Sequence, residues 1–283
     1  MANETTSTSL NDLLPSIVAE AMFVASERSI MRNLVKNFTL PMGSGKTITV
    51  PRYPVQSAAA VNEGTDLTNT SVSTDGATLT VSEVGIMTTV TDYARMTSAS
   101  NVIADVGRLF GDAIARKLDR DLIALFDGFS VALGDGTTAI APAAIFQAVA
   151  KLRAQAVPGS DLYCVLHPEI AYDLKATLTN TYSNPNAGVL QNEAMASGYI
   201  GMIAGVPVFE SSNFANSGNA GDFKGAVFHR DALGLAMLSD IKIETQRDAS
   251  LRADEIVATA VYGVGELYDG YGVELHYDSS INP

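Results

Sequence analysis

The residues most suggestive of chemistry are Gly43-Ser44-Gly45-Lys46-Thr47. A loop that cradles phosphates needs a glycine, four residues, then Gly-Lys-Ser/Thr, set between a strand and a helix. Counting back from Gly45 puts the leading position at Leu40, which is not a glycine. The residues after Thr47 alternate as a strand does, so no helix N-terminus would aim its amides at a phosphate. The string reads as a flexible turn into a strand. A nucleotide-binding enzyme rests on it alone and stays a remote alternative.

Other reactive residue types are scattered. His167, His229 and His276 lie far apart in sequence and far from the single cysteine, Cys164, so no local metal-ligand spacing exists. His167 and His229 end strand-like runs and read as satisfied structural histidines. Cys164 reads as a small buried hydrophobe. There is no Gly-x-Ser-x-Gly nucleophile elbow. Asp119, Asp121 and Asp127 fall close together on a helix-patterned stretch, where a solvated face is the expectation. Asn3, Asn37 and Asn69 open Asn-x-Ser/Thr triplets, read as chance matches. The expectation is no catalytic residue, no metal and no cofactor.

The totals agree. Of 283 residues, 47% are apolar and 17% charged, which suits a globular chain with a sizeable core. Lys and Arg number 18 against 31 Asp and Glu, a net charge of −13. No basic cluster offers the footprint that gripping nucleic acid needs, so tight DNA binding is not expected. One cysteine allows no intrachain disulfide. The first ten residues lack the basic and apolar regions of a signal peptide, and no apolar run nears the roughly 18 residues of a membrane span.

These scattered groups hang on a mixed set of elements. Residues through about Leu40 start polar and become amphipathic, with Ile17, Ala21, Val24 and Arg28 at helical spacing after Pro15. Thr47 to Val50 alternates as a strand that Pro51 edges or ends. Val55 to Thr78 is rich in Gly, Ser, Thr, Asn and Asp. Two further alternating runs come next, at 77–81 and 86–90. The pattern predicts a long two-stranded excursion with too little apolar surface for a core of its own, and isolated hairpins are marginal in water.

Ser100 or Asn101 can cap the next element. Ile103, Val106, Phe110, Ile114, Leu118, Leu122 and Leu125 form one apolar stripe at helical spacing. Arg108/Asp112, Asp112/Arg116 and Lys117/Asp121 are spaced for i,i+4 pairing. A rod of about 26 residues and about 40 Å is predicted, ending near Gly128. Helices are expected at 142–156 and 168–178, each opening on proline, with loops at 134–138, 179–188 and 212–222. Strands are expected at 162–166, 206–209, 241–245, 256–262 and 271–276, and 225–228 and 233–238 read as apolar runs. Helices and strands mix without a βαβ rhythm, so the class is α+β.

The order of these elements resembles the Hong Kong 97-type major capsid proteins of tailed phages. Thr47-Ile48-Thr49-Val50-Pro51-Arg52-Tyr53 looks like the first strand of that family's extended loop. Ala59-Ala60-Val61-Asn62-Glu63-Gly64 looks like the loop tip, and Val84 to Asp92 like its returning strand. Ile103 to Leu125 resembles the spine helix. Leu162 to Leu178 and Met202-Ile203-Ala204-Gly205-Val206-Pro207-Val208 resemble axial-domain segments. Asp240 to Gln246 and Arg252 to Tyr262 resemble the late long strands. The resemblance implies an N-terminal arm at 1–40, an extended loop at 41–92, and a peripheral domain with the spine at 93–135. It implies an axial domain at 136–232, returning peripheral strands at 233–262, and a C-terminal strand at 263–283 assigned to the axial domain. It implies intersubunit contacts at Arg52, Tyr53 and Glu63.

The function so implied is a structural subunit that assembles with itself into hexamers and pentamers of an icosahedral shell around double-stranded DNA. The expected location is the virion capsid, with the host cytoplasm during assembly. Because the chain starts at Met1 a short way before the arm, a separate scaffolding protein is expected; a portal and a decoration protein are further expected partners. The DNA would be enclosed and not tightly bound, and no membrane is involved. In the family's namesake a loop lysine forms a covalent cross-link to a neighbour. Here Thr47 to Ala94 contains no lysine, so a non-covalent shell is expected. An encapsulin-type cellular compartment is the alternative on the same fold.

Overall fold

The structure is a computed structural model. It describes residues 30–93 except positions 44, 54–55, 59, 65, 67–68 and 70, then 102–181, 201–217 and 221–281. The arm pattern at Ile17 to Arg28 and the caps read at Ser100 or Asn101 lie outside the described residues. So does most of the loop read at 179–188.

Helix α1 covers Met31–Leu34, and strand β1 covers Lys36–Thr39. A hairpin comes next, β2 at Thr47–Arg52 and β3 at Asp75–Thr80. Strand β4 spans Ser82–Thr91 and helix α2 spans Val102–Ile123. After a 3-10 turn at Ala124–Gly128 come β5 (Ala132–Leu133), α3 (Pro142–Ala154), β6 (Leu162–Leu166) and α4 (Pro168–Thr181). The remaining strands are β7 (Met202–Ile203), β8 (Val206–Glu210), β9 (Asp222–His229), β10 (Leu233–Asp248), β11 (Ala253–Glu266) and β12 (Gly272–Asp278).

The described strands form three sheets. One has the order β1-β10-β11-β4, the second β5-β12-β9-β6-β8-β7, and the third is the β2–β3 hairpin. The two runs expected at 77–81 and 86–90 therefore belong to different sheets. β3 pairs with β2, whereas β4 runs antiparallel along β11 from Ser82↔Tyr262 to Thr91↔Ala253. The chain changes sheets at Val81, which is buried and donates its N–H to the Lys46 carbonyl at 2.9 Å. Gly263 makes this corner possible. A Cβ there would stand 2.2 Å from the Thr80 carbonyl oxygen.

The apolar runs at 233–238 and 241–245 are one strand, β10, with register irregularities between Met237, Ser239 and Lys242. Asp240 sits in that irregular stretch and accepts the Ile241 N–H at 3.0 Å. Periodicity breaks at a bulge, which is why the sequence shows two separate runs. The turn between β10 and β11 is held by Asp248, which accepts from Ser250 N at 2.9 Å and Leu251 N at 3.2 Å.

α2 is shorter than the rod expected from sequence: 22 residues, about 33 Å. The last turn tightens to 3-10 geometry, ending at Gly128. This turns Phe126 into the centre, where it is fully buried against Phe228 with ring centroids 5.4 Å apart. Val106, Phe110, Ile114, Leu118 and Leu122 are all buried, and Leu125 packs partly buried against the same cluster. Ile103 lies in the first turn of α2. Each such side chain, taken out of water, is worth about 1.5–3 kcal/mol.

Two expectations about charged groups are corrected. Asp119 is not solvated: it is fully buried and accepts the Ile30 N–H at 3.4 Å and the Asn213 side-chain amide at 3.3 Å. Asp121 is half-buried, accepts from the Tyr262 hydroxyl at 2.9 Å and pairs with Lys117 at 2.5 Å, whereas Asp127 stays exposed beside Lys224. A buried carboxylate persists only with such partners.

Candidate assembly surface

The Gly43–Thr47 string does not build a phosphate loop. Gly43 and Gly45 have φ of +88° and +94°, and Lys46 is exposed just ahead of β2. Thr47 opens a strand, so the helix that phosphate binding needs is missing there. The histidines have structural partners. The His167 ring stacks on Phe223 with centroids 3.6 Å apart, and burial lowers its pKa. His229 Nδ1 accepts the Asp231 N–H at 3.1 Å, and His276 Nε2 lies 2.7 Å from Asp222 Oδ1. Gly136 (φ +71°) passes over that last pair, where a Cβ would sit 2.7 Å from His276 Nε2. Cys164 is fully buried in β6, and burial drives its thiol pKa far upward. Among the described residues no His/Cys/Asp/Glu group could hold a metal, and no helix is long and apolar enough to cross a membrane.

The distinctive surface is the hairpin. β2 and β3 pair antiparallel from Thr47↔Thr80 to Arg52↔Asp75. Their side chains alternate, and one face is anchored: Leu40, Ala77, Leu79, Val81, Ala236 and Leu267 form a buried cluster with Ile48 and Val50 packed against it. The base of the excursion is thus part of the body, its apolar side chains packed on Leu40, Ala236 and Leu267. The 53–74 segment beyond it is different. Tyr53, Val61 and Val72 are exposed by 68%, 48% and 62%, and Glu63, Gly64 and Asp66 are exposed too.

Arg52, expected as an intersubunit contact, is held by its own chain. Its Nη1 donates to the Leu267 carbonyl at 2.9 Å, its Nη2 pairs with Asp75, and its guanidinium lies 5.9 Å from the Tyr268 ring centroid. The Gly76 amide and Arg52 hold the Asp75 carboxyl below its ordinary range. Next to this clamp, burial and the neighbouring Asp269 raise the pKa of Glu266. Tyr53 and Glu63 are exposed.

Other exposed apolar side chains were missed from sequence: Leu109 on α2 at 65%, Phe146 on α3 at 56%, Tyr172 on α4 at 52% and Met87 on β4 at 60%. Their signal was weak but present. Leu109 and Phe146 are large apolar residues off the buried stripe of their helices, where a solvated position favours a polar one.

The comparisons with known proteins point one way. The profile of a family described as phage capsid protein matches residues 58–273. The capsid protein of Cyanophage P-SCSP1u superposes with a TM-score of 0.70 at 21% identity, covering 89% of each chain. A structure from Mycobacterium phage Che8 gives 0.70 at 20% identity, covering 88% of this chain and 91% of that one. The holo-SrpI encapsulin of Synechococcus elongatus PCC 7942 gives 0.63 at 12% identity, covering 88% of each chain. No curated protein matches the chain.

Proposed function

The chain belongs to the phage capsid protein family, and from that premise we propose that it is the major capsid subunit of a tailed phage, built on the Hong Kong 97-type fold. In this reading five or six copies form rings, and the rings close into an icosahedral shell around double-stranded DNA. The supporting observation is the 53–74 segment, whose Tyr53, Val61 and Val72 are exposed and join no buried cluster among the described residues. Exposed apolar side chains on an extended segment gain most by lying on another copy.

The fold reading gives each sheet a role. The β1-β10-β11-β4 sheet with α2 is the peripheral domain and its spine; the six-stranded sheet with α3 and α4 is the axial domain. Strand β12 lies in the six-stranded sheet, which supports assigning the C-terminal strand there. A separate scaffolding protein, a portal and a decoration protein are the expected partners, and assembly would take place in host cytoplasm. The net charge of −13 disfavours tight contact with the enclosed DNA.

Electron microscopy of the protein, purified after expression beside the phage's other assembly genes, tests this. Closed shells with rings of five and six are expected. A compact monomer in sedimentation, at every salt concentration and with every phage partner, overturns it. The likeness to an encapsulin supports a second reading, a cellular compartment. Particles that carry a cargo enzyme instead of DNA would favour that reading.

A further inference from the structure

Three links carry the chain between the two large sheets, and they lie together. Residues 129–131 lead from α2 towards β5, 230–232 from β9 to β10, and 267–271 from β11 to β12. The Ala232 carbonyl accepts the Leu267 and Tyr268 N–H groups at 2.7 and 3.2 Å, and Asp269 Oδ1 accepts the Ser130 N–H at 2.7 Å. The Tyr271 ring meets His229 edge-on, with centroids 5.6 Å apart.

Two carboxyls come together at this junction. Glu266 closes β11 and Asp269 opens the 3-10 turn at Asp269–Tyr271. Both are half-buried, and their side chains lie within hydrogen-bonding reach of each other. Glu266 Oε2 also lies over the end of α2, where a Cβ on Gly128 would stand 3.2 Å from it. Two carboxylates this close repel, and one proton shared between them turns the repulsion into a hydrogen bond. Burial and then Asp269 raise the Glu266 pKa, and Arg52 opposes them. Arg52 is bound one residue further on, at the Leu267 carbonyl, and to Asp75. The other charges of the surrounding elements have partners elsewhere: Asp231 pairs with Lys36 at 2.8 Å, Asp127 with Lys224, and Arg230 Nε donates to the Val35 carbonyl at 3.5 Å.

We propose that Glu266 is a proton-controlled latch at the junction of the two sheets. Protonated, it donates its O–H to Asp269, which in turn holds the Ser130 amide, so the 267–271 link is tied to the end of α2. Ionised, its proton passes to solvent, and the carboxylate leaves Asp269 for Arg52 at the base of the hairpin. The same link carries the carbonyl that Arg52 grips, so the junction and the hairpin base respond together. The latch is closed in acid and opens as pH rises through the Glu266 value, which lies above the ordinary 4.5. It works within one chain and does not depend on the shell reading.

Hydrogen exchange of the full chain as soluble subunit tests it, measured between pH 4 and 8 with each rate divided by the intrinsic rate at that pH. Amides of 129–131 and 267–271 should lose protection about fivefold or more as pH rises, while those of β9 change less than about twofold. Glu266→Gln keeps a donor for Asp269 without a charge and should hold the acid-level protection at every pH. Asp269→Asn removes the repulsion and should also abolish the response. A response in Glu266→Gln equal to that of the unmodified chain overturns the latch, as does unchanged protection in the unmodified chain. If either variant fails to fold by circular dichroism, carbon-13 spectra of the unmodified chain decide. The Glu266 and Asp269 carboxyls should then report the same two titration steps, and two independent single steps overturn the proposal.

Discussion

Single residues carry several strongly placed interactions. Asp119 gathers the Ile30 backbone, the middle of α2 and Asn213, three segments far apart in sequence, onto one buried carboxylate. Asp119→Ala strands those donors, and about 1–3 kcal/mol of stability should be lost in chemical unfolding of the soluble subunit. Asp119→Asn keeps an accepting oxygen and should lose less. Glu266 works in the other direction. Its pKa is raised above the unfolded value, so the folded chain binds that proton first as pH falls. Its ionised form is therefore a burden above the raised pKa, and stability contributed by this group grows as pH drops through it. Glu266→Gln should flatten that part of the stability–pH curve without losing stability at neutral pH; an unchanged slope refutes the assignment. Cys164 should stay unlabelled by thiol reagents in the native subunit and react only on unfolding, since burial keeps it protonated.

At the scale of elements, the hairpin divides into an anchored base and an exposed end. Leu79, 1% exposed, and Val81 belong to the body through the cluster with Leu40 and Leu267. Replacing residues 54–74 by a tight turn should leave circular dichroism and thermal unfolding of the subunit nearly unchanged while blocking shell formation. Extending the deletion through Val81 removes Ala77, Leu79 and Val81 and should destabilise the subunit itself. Leu79→Ala alone should cost about 2–5 kcal/mol. If the 54–74 deletion unfolds the subunit, the segment belongs to the core and the division is wrong. α2 divides likewise, with one stripe buried on the sheets and Leu109, Arg116 and Arg120 facing out.

For the whole molecule, the sequence between Thr47 and Ala94 bears on how a shell is held. It has no lysine, and Lys46 stands at the hairpin's base, its carbonyl already bonded to Val81. An amide cross-link from the tip lacks its amine, and an arginine such as Arg52 stays protonated and is a poor nucleophile. Mature particles boiled in detergent should therefore run as a single band near 29.7 kDa. A ladder of multimers would show a covalent shell, with Lys46 the first residue to examine. Non-covalent contacts that include exposed charges should also loosen as salt rises.

Much of this was legible in the chain itself because it is local. The 3.6-residue stripe of α2, the prolines opening α3 and α4, and the alternation in β2, β3 and β4 are set by neighbours in sequence, and the order of those elements carried the family resemblance. What only tertiary structure decided is which distant groups meet. Asp119 and Asp121 on α2 looked solvated because their spacing shows nothing of Ile30, Asn213 or Tyr262, which arrive from other parts of the chain. Nothing local to Arg52 shows that the fold places the Leu267 carbonyl within 2.9 Å of its guanidinium. The bulge at Met237–Lys242 hid one strand as two, and the buried side of Leu79 depended on β10 and β11 passing behind it. Local periodicity fixes what an element is, but its partners are set by packing across long sequence separations, which no short window of residues contains.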